Sequence, residues 1–79
     1  MLRQELNITR YQIIRNTQKY YIYLLPKDKY LDFCIEKDGY ANIYHMAEID
    51  SSQLIESIEA FIDNNINEWI EILEDNLED

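Results

Sequence analysis

Lysine and arginine are missing from the second half of this 79-residue chain. All seven, Arg3, Arg10, Arg15, Lys19, Lys27, Lys29 and Lys37, precede residue 38. A surface that neutralises phosphates needs such side chains in clusters, so neither direct nucleic-acid binding nor adhesion to an anionic membrane is expected. The single cysteine, Cys34, excludes an intramolecular disulfide. The single glycine, Gly39, excludes a glycine-rich phosphate loop. With Cys34, the lone His45 cannot close a tetrahedral zinc site unless carboxylates or a second chain contribute. No metal and no cofactor are expected. No apolar run approaches the ~20 residues of a spanning helix, and residues 1–6 lack the apolar stretch of a signal peptide. These absences predict a soluble, cytoplasmic protein.

What is present is a composition of 47% hydrophobic and 29% charged residues, which predicts one folded domain over residues 1–79. The net charge of −9 is distributed very unevenly. Residues 1–40 hold all seven bases and five acids, whereas residues 41–79 hold eleven acids and no base. An acidic half-chain repels phosphates and attracts basic protein surfaces, at rates that fall with salt.

The first half alternates with period 2 and is rich in Tyr and Ile, as expected of half-buried strands. Four are predicted within 8–48. The first, 8–15, pairs through a turn at Asn16-Thr17 with 18–25, so that Arg15 meets Gln18, Ile13 meets Tyr20 and Tyr11 meets Ile22. Tyr11, Ile13, Tyr20, Ile22 and Leu24 then share an apolar face, with Arg10, Gln12, Lys19, Tyr21 and Tyr23 on the other. Pro26 suits the second position of a turn over 25–28. A third strand over 29–37 leads into Asp38-Gly39, a dipeptide suited to a two-residue type I′ turn. That turn would pair Lys37 with Tyr40, Ile35 with Asn42, Phe33 with Tyr44 and Leu31 with Met46. On the opposite face, Asp32 would meet His45 and Cys34 would meet Ile43.

From Asp50 the period becomes helical. Asp50 and Gln53 read as a capping box, and Ile55, Ile58, Ile62, Ile66, Trp69, Leu73 and Leu77 form one stripe over 51–77. The expected fold is therefore α+β: a four-stranded antiparallel β-meander with one face covered by a C-terminal acidic amphipathic helix. A helix from Ser51 to Asn76 would be about 39 Å long and would overhang its sheet. Asn64-Asn65-Ile66-Asn67 leaves two alternatives, a helix kinked or split there or one continuous helix projecting Trp69, Ile70, Leu73 and Leu77 into a partner or a homodimer mate.

Catalytic chemistry is poorly supplied. Cys34 and His45 on one sheet face are the only nucleophile–base candidates, and a half-buried thiol beside a strand histidine needs no catalytic explanation. No enzyme is expected. The acids are more informative. Glu56, Glu59, Asp63, Glu68, Glu71, Glu74, Asp75 and Glu78 form a ridge opposite the apolar stripe, without the Lys at i+4 that ordinarily offsets such repulsion. Several crowd the helix C-terminus, where the macrodipole disfavours negative charge.

This base-free ridge on so small a chain resembles the acidic inhibitors that phages and mobile elements direct against nucleic-acid-processing machinery, such as anti-CRISPR proteins and DNA mimics. Acidic nuclease immunity proteins and antitoxins look similar. The resemblance lies in size and charge pattern, with no shared motif. It implies a bacterial host cell, no catalytic activity, and occupation of a basic groove by carboxylates standing in for phosphates. The alternative is a structural or adaptor module that docks through Trp69, Ile70, Leu73 and Leu77.

Overall fold

The computed structural model describes residues 9–77. Strands β1 (Thr9–Arg15), β2 (Gln18–Pro26), β3 (Tyr30–Lys37) and β4 (Ile43–Asp50) form one antiparallel sheet in sequence order. A 3-10 turn (Ser51–Gln53) then leads to helix α1 (Ile58–Leu77), which packs on one face. This is the expected α+β meander with a C-terminal helix.

The β1–β2 hairpin has the register the sequence predicts, with Arg15 opposite Gln18, Ile13 opposite Tyr20 and Tyr11 opposite Ile22. Its turn puts both central residues at positive φ, Asn16 at 52° and Thr17 at 64°, as type I′ geometry requires. The next turn lies later than Pro26 suggests. Pro26 ends β2 opposite Leu31, and the chain reverses over Lys27–Tyr30, which exchange backbone hydrogen bonds of 2.8 and 3.3 Å.

The β3–β4 hairpin departs further from expectation. Asp38-Gly39 does turn the chain, with Gly39 at φ 87° and the Tyr40 amide donating to the Lys37 carbonyl at 3.0 Å. Strand pairing resumes only at Ile43, however, so Ile35 faces Tyr44 instead of Asn42. A second irregularity follows between Phe33 and Cys34, where Cys34 faces His45 but Phe33 faces Ala47. One extra residue on β4 makes this a bulge. Its effect is to keep Tyr44, Met46, Ala47 and Ile49 all packed against the core. Asp32 now faces Glu48, and Cys34 faces His45.

The helix begins later than the capping box at Asp50 and Gln53 implies. Asp50 accepts from the Ser52 amide at 2.9 Å and caps only the 3-10 turn. Leu54–Ser57 is not helical. The N-cap of α1 is Ser57, whose Oγ accepts from the Ala60 amide at 3.1 Å while its carbonyl accepts from Phe61 at 2.9 Å. Ile55 therefore leaves the apolar stripe and is 96% exposed. At 20 residues the helix is ~30 Å long, and it runs without interruption through Asn64–Asn67. Asn65 Nδ2 donates back to the Phe61 carbonyl at 2.8 Å, and Asn64 Nδ2 donates to Glu56 at 2.8 Å. The bond to Glu56 draws the Asn64 amide away from the helix backbone, whereas Asn65 back-bonds to the i−4 carbonyl and the helix accommodates it.

Ile62, Ile66, Trp69 and Leu73 are buried against Tyr20, Ile22, Leu24, Phe33 and Ile35. Phe33 sits at the centre of this core, its ring centroid 5.0 Å from that of Phe61 and 5.6 Å from that of Trp69. Tilted aromatic contacts of this kind add to simple area burial. Trp69 and Leu73 thus complete this chain's own core, 4% and 0% exposed, and are removed from the set of partner-contacting residues. Ile70 and Leu77 are half-buried and also pack against the core, so the overhang expected of a longer helix is not found up to Leu77. No helix among the described residues is long and apolar enough to cross a membrane.

Candidate functional site

Five of the eight ridge acids, Glu59, Asp63, Glu68, Glu71 and Asp75, are exposed on α1, and none of them pairs with a basic side chain among the described residues. At ~100° per residue they form two patches. Glu68, Glu71 and Asp75 fall within about 60° of one another on the outer surface of the helix. Glu59 and Asp63 turn toward β1 and, with Tyr11, Gln12, Ile13 and Ile62, line a cleft of ≈ 150 Å³. A cleft lined by apolar side chains and two carboxylates suits a long aliphatic side chain ending in a cation. No basic residue occupies the last turn of α1, so Glu71 and Asp75 repel each other at i, i+4 and also oppose the macrodipole.

The remaining three ridge residues behave differently. Glu56 lies before the helix, in the connecting loop, where it accepts from Asn64. Glu78 lies outside the described residues. Glu74 is a structural residue: its Oε1 is 2.8 Å from Lys37 Nζ and accepts the Tyr20 hydroxyl at 3.1 Å. The Lys37 hydrogen bond holds the Glu74 carboxyl below its usual range, against the desolvation that opposes it.

Three of the basic residues, Lys27, Lys37 and Arg10, are committed elsewhere. Lys27 pairs with Asp32, Lys37 with Glu74, and the Arg10 guanidinium lies 4.9 Å from the Tyr21 ring centroid. On the open sheet face the tyrosines are also engaged, Tyr21 donating to Asp38 at 3.2 Å and Tyr23 to Glu36 at 2.8 Å. Arg10, Tyr21 and Tyr23 therefore form an acid-neutralised network rather than a base-stacking platform.

A second cluster lies on that same open face. Asp32 is 5% exposed, and its Oδ2 is 2.6 Å from Lys27 Nζ. The Lys27 hydrogen bond keeps the Asp32 carboxyl below its ordinary value, although burial works in the other direction. Its other oxygen, Oδ1, has no hydrogen-bond partner and lies 3.5 Å from His45 Nε2. Glu48 stands beside them, and one donor atom from each of Asp32, His45 and Glu48 lies within 4.8 Å of the others. The neighbouring Cys34 thiol is raised above its usual pKa by burial and then by Asp32, the opposite of an activated nucleophile. The Asp32–His45 proximity was visible in the sequence, whereas Glu48 was not, because only the bulge turns it to this face.

No family model, curated protein or solved structure matches this chain.

Proposed function

We propose that the protein is a non-enzymatic inhibitor that binds a basic surface of a nucleic-acid-processing protein through Glu59, Asp63, Glu68, Glu71 and Asp75, acting in a bacterial cytoplasm in the manner of anti-CRISPR proteins, DNA mimics or nuclease immunity proteins. The observation that carries this reading is the absence of any counter-charge for these five exposed carboxylates among the described residues. A helix face that served solubility alone has no reason to avoid Lys, which would relieve its own repulsion. The helix, packed over the sheet, fixes the backbone positions from which these carboxylates project. They meet the Arg fork or the Lys ammonium through charge-assisted hydrogen bonds, at the cost of ordering their own side chains. The cleft beside Glu59 and Asp63 accommodates one such side chain along its stem.

The test is capture from a nuclease-treated bacterial lysate by the wild type and by a variant carrying Glu59→Gln, Asp63→Asn, Glu68→Gln, Glu71→Gln and Asp75→Asn. The reading expects the wild type alone to retain a basic nucleic-acid-binding protein, with retention falling between low and moderate salt. Equal capture by both proteins overturns it. The adaptor reading, with Trp69 and Leu73 withdrawn into the core, retains of its four residues only the half-buried Ile70 and Leu77.

A further inference from the structure

We propose that Asp32, His45 and Glu48 form a binding site for a divalent first-row transition-metal ion of the zinc type. In a regular strand, residues three apart point to opposite faces. His45 and Glu48 are three apart, yet both share the face of Asp32, because the bulge opposite Phe33 and Cys34 inserts one residue between them. Bulges of this kind re-aim side chains at sites, and they are costly enough to the ladder to be informative where they occur. Here the bulge brings an imidazole and a carboxylate to a third, buried carboxylate.

The buried carboxylate supplies the independent observation. Asp32 is 95% removed from solvent, and its Oδ1 has no partner in hydrogen-bond geometry, the nearest polar group of the cluster being His45 Nε2 at 3.5 Å. A desolvated carboxylate oxygen left in this condition is costly and calls for a cation or a donor. Lys27 does not meet that need, since its ammonium is bound to the other oxygen, Oδ2, at 2.6 Å. It acts instead as the outer partner that fixes the carboxylate's orientation, a role ligating carboxylates commonly require. Imidazole with two carboxylates is a borderline-to-hard donor set, suited to Zn²⁺, Co²⁺ or Mn²⁺. Ligand distances of ~2.0–2.2 Å place neighbouring donor atoms roughly 3.4 Å apart. Starting within 4.8 Å, His45 and Glu48 must close by somewhat more than an ångström, and both are exposed. Water completes the coordination. The acid-rich helix supplies none of these ligands, so this site is separate from the inhibitor face.

The experiment titrates the purified, metal-stripped full chain with ZnCl₂ by calorimetry and with CoCl₂ by visible absorption, in wild type, His45→Ala, Glu48→Gln and the five-residue ridge variant. One ion per chain is expected in the wild type and in the ridge variant. His45→Ala and Glu48→Gln are each expected to weaken binding at least about tenfold, and His45→Ala to abolish the cobalt ligand-field spectrum. Both substitutions are at exposed positions, so a matched melting curve without metal confirms that the fold is intact. Wild-type binding no tighter than in His45→Ala and Glu48→Gln, or binding lost in the ridge variant instead, overturns the assignment.

Discussion

Lys37 Nζ, at the end of β3, lies 2.8 Å from Oε1 of Glu74 on the last turns of α1, and the same oxygen accepts the Tyr20 hydroxyl at 3.1 Å. This three-residue link across two strands and the helix fixes the C-terminal half of α1 over its sheet. Lys37 is 13% exposed and Glu74 37% exposed, so solvent partly screens the pair. Glu74→Gln should cost about 1 kcal/mol in chemical denaturation. The five-residue ridge variant, which leaves Glu74 in place, should show no such loss.

The same link predicts a specific pH dependence. The Glu74 carboxyl is lowered from its ordinary value of 4.5, so its stabilisation is complete above that pH and is lost as pH falls through the folded value. Hydrogen bonding to Glu74 raises Lys37 above 10.5, and burial followed by the Glu74 hydrogen bond raises Tyr20 above 10.0. Their contributions are present below about pH 10 and disappear as pH rises through the raised values. Melting curves should therefore show the wild type losing its advantage over Glu74→Gln both below pH 4.5 and above pH 10. A difference constant from pH 3 to pH 11 would contradict the link.

The Asn16-Thr17 turn stores strain at a β-branched residue. Thr17 at φ 64° occupies a region that Gly enters freely and Thr enters at a cost of roughly 1–2 kcal/mol. Thr17→Gly should raise the melting temperature by several degrees, the net of relieved strain and the greater freedom of an unfolded glycine. A lower melting temperature would contradict the strain at Thr17.

Ser57 and Asp50 give opposite predictions for helix initiation. Ser57→Ala removes the Oγ that receives the Ala60 amide and should cost about 1 kcal/mol. Asp50→Ala disturbs only the 3-10 turn, and its effect on α1 helicity by circular dichroism should be smaller. The sequence points to Asp50 because the apolar stripe continues in phase from Ile55 to Ile58, so periodicity alone cannot locate the true start. What separates the two caps is tertiary: Ile55 finds no sheet beneath it, whereas Ile58 does.

The contrast between the two hairpins has a similar origin. Asn16-Thr17 closes directly onto Arg15 and Gln18, so a count from the turn gives every pair in β1–β2. Asp38-Gly39 has the stronger turn chemistry, yet pairing waits until Ile43, and the later bulge shifts the faces again. A two-residue slip preserves the inward positions, and for that reason the core around Phe33 and Ile35 was legible despite the incorrect register. A one-residue bulge does not preserve them, and it hid Glu48. Of the expected ridge, Glu68, Glu71 and Asp75 lie together on the outer surface of α1, whereas Glu59 and Asp63 turn toward β1. That Glu74 belongs to the structure was not legible, because its partners Tyr20 and Lys37 lie far away in sequence.

Neutralising Glu71 and Asp75 should stabilise the chain. Each opposes the macrodipole and repels the other, so Glu71→Gln with Asp75→Asn should gain on the order of 0.5–1 kcal/mol. A gain in stability accompanied by loss of target binding is what a functional ridge predicts.

The most direct test of the acidic face is competition on the captured target. The target, its nucleic-acid ligand and this protein are combined at fixed low salt, and displacement of the nucleic acid is followed by fluorescence anisotropy for wild type and for the Glu59, Asp63, Glu68, Glu71 and Asp75 variant. The wild type should displace the nucleic acid, with apparent affinity weakening as salt rises, and the folded variant should fail by at least about tenfold, a loss of ~1.4 kcal/mol. Displacement by the variant equal to that by the wild type would contradict the inhibitor account.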